Sequence, residues 1–244
     1  MIVPDWPAPS RVKALFTTRA GGVSRGAFGS LNLGGHVGDA ADHVEENRRR
    51  LRTFLPSSPV WLNQIHGADV VDAALVGWNG QQPVAADASF TTQMNVPCAV
   101  LVADCLPVLF CTTDGLCVAA AHAGWRGLRR GILEHTVAAM NTKAGNILAW
   151  LGPAIGPSAF EVGDEVYRAF TEVAPQDASA FKPVVNAAQK YRADIHELAR
   201  LRLRRVGVTK IFGGQHCTVT DASRFFSYRR DGQTGRMGAT IWLE

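Results

Sequence analysis

No apolar stretch of this 244-residue sequence approaches the roughly 20 residues that a membrane-spanning helix needs. The opening MIVPDWPAPSRVK lacks the basic-then-apolar layout of a secretory leader. Both absences set the expectation of a cytoplasmic protein with no membrane partner. Cysteine is scarce and odd in number, five residues at 98, 105, 111, 117 and 217, which argues against a secreted disulfide framework. Three of them (98, 111 and 117) sit inside apolar runs, where a thiol behaves as a small hydrophobe, leaving Cys105 and Cys217 to be weighed chemically. Lysine is also rare, five of 25 basic residues, and no basic run is interleaved with aromatics. Nucleic acid is therefore not an expected partner, and RRRLR (48–52) reads as the solvated face of a helix. The seven histidines contain no His-x-His pair, which weighs against a multicopper oxidase, a chemistry that consumes many imidazoles. Internal repeats, low-complexity tracts and linkers are missing too, so residues 1–244 read as one domain.

What is present is an ordinary globular composition, 47% apolar and 19% charged, with a net charge of +4. The arginine that dominates the basic residues carries a rigid fork matched to phosphate and carboxylate oxygens. Strand-like runs are VKALFTTR (12–19), VWLNQI (60–65), ADVVDAAL (68–75), CAVLVAD (98–104), ILAWLG (147–152) and VTKIFGG (208–214). A Gly/Ser-rich loop with six glycines fills 21–35, a length that suits a functional loop. Helical patterns cover 42–55, 127–140, 163–174 and 192–206, and the closing RFFSYRRDGQTGRMGATIWLE reads as two strands joined at Gly232–Gly235. Strands and helices alternate without a steady βαβ rhythm, which predicts an α+β (mixed α/β) domain of mixed sheets flanked by helices.

The segment ADCLPVLFCTTDGLCVAAAHAGWRG (103–127) carries the chemistry. Asp114-Gly115 between two apolar runs predicts a two-residue type I′ turn. Thr113 would then pair with Leu116 and Pro107 with His122, with Cys105 two residues further out on the same face. Diagonal neighbours of this kind lie roughly 7–8 Å apart at Cβ, a gap that a zinc ion can bridge. Pro107 has no N–H, so the pairing is expected to fray there and free the loop bearing Cys105. Two ligands are too few for a metal site. From spacing alone the third could be His66, which follows a strand and precedes Gly67, or the His216–Cys217 pair. Asp104 precedes Cys105 and would face the opposite side of its strand, so it reads as an acid behind the ligands, and Asp87 could orient a ligand histidine or move a proton. Trp125 and Phe28 are candidates to stack on a planar ligand, though core packing is the simpler role for each.

Six blocks, TTRAGGVSRGAFGSLNLGGHVGD, WLNQIHGADVV, ADCLPVLF, AHAGWRGL, GPAIGP and FFSYRRDGQTGRMGATIWL, resemble the YfiH/laccase-domain family in order and across residues 12–243. This family is also called the purine nucleoside phosphorylase family and was formerly labelled polyphenol oxidase; some members carry the name peptidoglycan editing factor. The resemblance implies one catalytic Zn²⁺ held by His66, Cys105 and His122, with copper as a possible substitute. It implies phosphorolysis of adenosine, inosine and methylthioadenosine with inorganic phosphate, and adenosine deamination beside it. Three ligands and one open position is the catalytic pattern of zinc, able to lower the pKa of bound water or polarise a substrate oxygen. Phosphate would need arginine forks; among Arg19, Arg25, Arg229, Arg230 and Arg236, those adjoining the family blocks, Arg19 and Arg229, are the preferred pair. Rival readings are a metal-free hydrolase or amidase with Cys105 as nucleophile and His122 as base, a copper oxidase, and a binding protein with a closed structural zinc site. A monomer or small homo-oligomer is expected.

Overall fold

The computed structural model describes residues 1–76 and 83–244. In chain order the described residues form β1 (Val12–Phe16), α1 (Ala41–Arg52), β2 (Val70–Asp72), β3 (Ala88–Thr91), β4 (Cys98–Val102), β5 (Leu106–Thr112) and β6 (Val118–Ala123). There follow α2 (Trp125–Arg130), α3 (Ile132–Ala139), β7 (Ile147–Leu151), β8 (Glu161–Gly163), α4 (Asp164–Thr171), β9 (Phe181–Pro183) and β10 (Lys190–Ala193). The chain closes with α5 (Ile195–Arg205), β11 (Lys210–Gly213), α6 (Tyr228–Asp231) and β12 (Met237–Leu243). The α+β class with mixed sheets is as expected. A six-stranded sheet has the order β11-β7-β5-β6-β3-β2, parallel at its two outer pairs and antiparallel within. A three-stranded antiparallel sheet, β1-β12-β4, packs on one face of it, and a small sheet, β8-β10-β9, was not anticipated.

Alternation along the strands explains the layering. On β5 the even positions Val108 and Phe110 share a core with Leu128 of α2, Leu133 of α3 and Leu198 of α5, while Leu109 and Cys111 face the three-stranded sheet. On β4, Cys98, Val100 and Val102 share that inner layer, and Ala99 and Leu101 face outward onto Leu51 of α1 and Trp61. A strand covered on both faces must be apolar at every position, and β4 is buried throughout. His122 of β6 has the parity of Val118 and Ala120, so it points into the layer between the two sheets, the side Cys105 also packs against.

Several expectations are corrected. The 60–65 run makes only isolated bridges, at Val60 and Asn63. The helix read as continuous over 127–140 is two helices, because Gly131 adopts φ +89° between them. The closing segment is no hairpin: Ser227 caps α6 by accepting from the Arg230 N–H, and β12 alone follows, paired with β1 and β4. The 113–116 turn is not type I′, since only Gly115 has positive φ; the Gly115 N–H bonds Thr112 O, and Thr112 Oγ1 accepts from the Leu116 and Cys117 N–H groups. The threonine hydroxyl substitutes for a ladder bond, and Pro107 still lies opposite His122. Nor does the pairing fray at Pro107; it continues to Leu106–Ala123. The His122 N–H is donated to Asp87 O on the neighbouring strand side, so the pair at Pro107 requires no donor from the proline.

Candidate metal centre

His122 is delivered by the end of β6, Cys105 by the turn between β4 and β5, and His66 by the loop before β2. Their ligand atoms all lie within 4.8 Å of one another. Cys105 Sγ is 3.8 Å from His66 Nε2, and the two imidazoles meet edge-to-face with centroids 4.8 Å apart. Gly124 makes this approach possible: a Cβ there would lie 2.9 Å from Cys105 Sγ and 3.1 Å from His66 Cδ2.

Asp87 organises the group from behind. Its fully buried carboxylate accepts from the N–H groups of Ile65 (3.1 Å), His66 (3.0 Å) and Gly67 (2.6 Å), and bonds His122 Nδ1 at 2.8 Å. One side chain thus fixes the ring of one histidine and the backbone of the other, which sits at φ +58°. Burial pushes the Asp87 pKa up, but the bonds from His122, Gly67 and His66 outweigh it and hold the carboxyl below its ordinary value. With Nδ1 engaged, His122 presents Nε2 to the site, the orientation given to a metal-ligating histidine by a carboxylate. Gln64 pins the same loop to β4 by donating to Leu101 O (2.8 Å) and accepting from the Leu101 N–H (2.7 Å).

The electrostatics couple the thiol to the rings. Burial alone would raise the Cys105 pKa, yet His122 and His66 overcome it and lower it to about 6. Burial likewise opposes charge on His122, but Cys105 and Asp87 raise its pKa to about 9. The arrangement favours a thiolate beside an imidazolium, a strong donor set once a cation displaces the proton. One thiolate and two imidazoles are borderline-soft ligands suited to zinc or copper, and the residues present fit such an ion with one side left open.

That side opens on a cavity of about 450 Å³ lined by the three ligands and by His36, Gln64, Asp104, Trp125, Arg126, Ile155, Phe160, Tyr228, Arg229 and Arg236, among others. Asp104 stands at its wall in a positive-φ conformation (+86°) and accepts from the Thr218 and Ser227 hydroxyls and the Arg229 N–H. It is a structural acid that ties the Cys105 turn to the 218–229 segment. Arg229 reaches the cavity, with Nη1 bonded to Ala159 O and Glu161 O. Arg19 does not line it, because its guanidinium is held by Gly29 O and Ala222 O over the Phe226 ring. Phe28 is absent from the lining, whereas Trp125 is present under Arg126. The rival ligand pair lies apart: Cys217 Sγ accepts from the Gly156 N–H, and His216 meets Arg224. From the sequence, His36 stands out only as a loop histidine beside a glycine, ranked behind His66, and Gln64 and Arg126 carry no signal that marks them as cavity residues.

A family model described as multi-copper polyphenol oxidoreductase laccase matches residues 13–244. The Escherichia coli K12 protein named purine nucleoside phosphorylase YfiH is 56% identical over 245 residues, covering 100% of this chain and 98% of its own length. A Pseudomonas aeruginosa protein also named purine nucleoside phosphorylase is 51% identical over 243 residues, covering 100% of this chain and 98% of its own. The crystal structure of a Neisseria meningitidis protein superimposes with a TM-score of 0.95 at 52% identity, spanning 100% of this chain and 98% of that one. With motif order, fold and nearly the full length in agreement, the chain belongs to the YfiH/laccase-domain family.

Proposed function

We propose that this protein is a zinc-dependent purine nucleoside phosphorylase, acting on adenosine, inosine and methylthioadenosine, with adenosine deaminase side activity. The observation that carries the reading is the three-ligand group His66–Cys105–His122 with one side open to a cavity of about 450 Å³. The relatives' name supplies the reaction class, and the cavity lies within the size range of small-molecule sites.

His66, Cys105 and His122 would hold the ion, which when bound supplies Lewis acidity at its open position. Asp87 keeps His122 with Nε2 turned inward and fixes the His66 loop, so the ligands are already oriented towards a common point. Trp125, Ile155 and Phe160 offer apolar surface for a purine. Arg126 and Arg236 place positive charge in the cavity, where an incoming phosphate dianion would be held while the ribose C1′–purine bond breaks and its electron pair passes to the leaving base. A multicopper reading draws less support, since one cluster of metal-ligating side chains is found among the described residues.

The test is to assay the zinc-loaded protein on adenosine and inosine with and without phosphate. Free base and ribose 1-phosphate formed only with phosphate support the phosphorylase; inosine from adenosine reports the deaminase. The lowered Cys105 pKa beside His122 favours a second reading, a Cys–His hydrolase with a peptidoglycan editing role. Activity that survives chelation and is lost on thiol alkylation would select it.

A further inference from the structure

We propose that the phosphate-binding end of the cavity is built by Arg236 and His36, with Arg48 behind them, and not by Arg19 or Arg229. The ligand's identity as inorganic phosphate rests on the phosphorylase reading; the anion site itself rests on charge and geometry.

The charge census of the cavity is one-sided. Arg126, Arg229, Arg236 and His36 line it, and Asp104 is the one carboxylate among the named lining residues. Both Asp104 oxygens are bonded to the Thr218 and Ser227 hydroxyls and the Arg229 N–H, and Asp104 forms no ion pair with these side chains, although its charge favours the charged form of Arg236 from a distance. Among the described residues no carboxylate pairs with Arg236 or Arg48, although twelve ion pairs form elsewhere and engage nine other arginines.

Arg236 is also the cavity arginine most firmly aimed. Its Nη1 donates to Thr234 O (2.9 Å) and Gly235 O (3.1 Å), and its backbone N–H donates to Asn32 Oδ1 (2.9 Å). The stem lies so tightly on the 34–35 loop that a Cβ at Gly34 would be 2.7 Å from Arg236 Cγ. A guanidinium braced through one nitrogen keeps its Nε–Nη2 edge for a second partner, and that edge matches two oxygens of a phosphate. Arg48 is similarly braced, with Nε on Leu33 O (3.0 Å) and its plane 4.7 Å from the Trp61 ring centroid, and it reaches towards Gly35. Burial lowers the pKa of His36, and Arg236 and Arg48 lower it further. Two mutually repelling guanidinium groups around a glycine pair, with a neutral imidazole beside them as a further hydrogen-bond donor, gain most when a dianion enters between them. Arg229 is braced through Nη1 in the same way but is exposed, lies over the Phe160 ring and has no second guanidinium or imidazole grouped with it among the described residues, and Arg126 is exposed over Trp125.

The experiment titrates the zinc-loaded full chain with inorganic phosphate by calorimetry and measures KM for phosphate and for nucleoside separately. Arg236→Gln is expected to weaken phosphate binding by about tenfold or more while nucleoside KM moves by less than about twofold. His36→Gln is expected to weaken phosphate about threefold, and Arg236→Lys to fall between the two. Should Arg236→Gln fail to fold, His36→Gln and Arg236→Lys carry the test, and wild-type phosphate affinity in both overturns the site. It is equally overturned by phosphate binding that depends on the metal or on Arg229 but not on Arg236. Phosphate binding lost with Arg236 in a protein that cleaves no nucleoside keeps the anion site and removes the phosphorylase reading. Phosphorolysis with phosphate KM unaltered in the Arg236 variants does the reverse.

Discussion

At the scale of single residues, Asp87 does the most with one side chain. Three backbone N–H groups and one imidazole converge on its buried carboxylate, so it sets both the tautomer of His122 and the position of His66. Asp87→Asn keeps the volume but replaces one acceptor oxygen with a donor that faces N–H groups. Zinc affinity, read by competition with a chromophoric chelator, is expected to fall by about 10–100-fold. A second prediction concerns protons in the metal-free protein. The Cys105 pKa, opposed by burial but carried down to about 6 by His122 and His66, contributes stability that is fully present above the ordinary thiol pKa and is lost as pH falls through about 6. The His122 pKa, opposed by burial but carried up to about 9 by Cys105 and Asp87, contributes stability that is fully present below the ordinary imidazole pKa and is lost as pH rises through about 9. The two contributions run in opposite directions, so in a denaturant series the stability of the metal-free protein should change little between about pH 6 and 9, where the folded ion pair holds as many protons as the unfolded thiol and neutral imidazole. Cys105→Ser leaves His122 and Asp87 without the thiolate and should make stability fall as pH rises above the ordinary imidazole pKa, and an unchanged profile would refute the coupling.

At the scale of elements, the α2–α3 junction shows what periodicity cannot see. Residues 127–140 carry helical spacing throughout, and nothing in apolar pattern separates one helix from two. Gly131 is in the left-handed region, with its N–H bonded to Leu128 O, and α3 starts afresh so that Ile132 and Leu133 reach the core. In an unbroken helix Gly→Ala would stabilise by about 1 kcal/mol. Here Gly131→Ala is expected to destabilise by about 1–2 kcal/mol in urea unfolding, because a Cβ is disfavoured at φ +89°. The 112–117 turn teaches the complementary lesson. Its Asp-Gly signal named the right place and pairing but the wrong turn, because Thr112 Oγ1 offered the backbone a better set of bonds than the sequence rule assumes.

At the scale of the whole molecule, the three candidate ligands come from three segments, at 66, 105 and 122: the β5–β6 hairpin sets two of them side by side, and the large sheet brings in the third on the loop before β2. A metal bound there ties the loop before β2 to the centre of the large sheet and stabilises the folded state by mass action. Zinc at about a hundred times its Kd is expected to add about 2.7 kcal/mol, on the order of 5–10 °C in Tm for a domain of this size. Scanning calorimetry with and without chelator measures this shift, which Cys105→Ala should abolish. The same packing brings Arg236, next to the last strand, beside the 34–36 loop near the start, a contact across about two hundred residues that no local pattern announces.

The amino-acid sequence by itself determined the hairpin register that sets Cys105 and His122 on one face, the double-sided burial of β4, and the α+β class. Each follows from side-chain alternation and turn chemistry within a few residues. Its motif blocks also sufficed to reach the family and, through it, His66. Only the tertiary structure decided which residues stand around the ligands: Asp87 behind them, Gln64 pinning their loop, Arg236 and His36 across the cavity, and Arg19 turned away from it. The physical reason is that spacing governs neighbours along one element. A site assembled between two sheets depends instead on loops whose carbonyls and N–H groups choose partners only once those sheets have met.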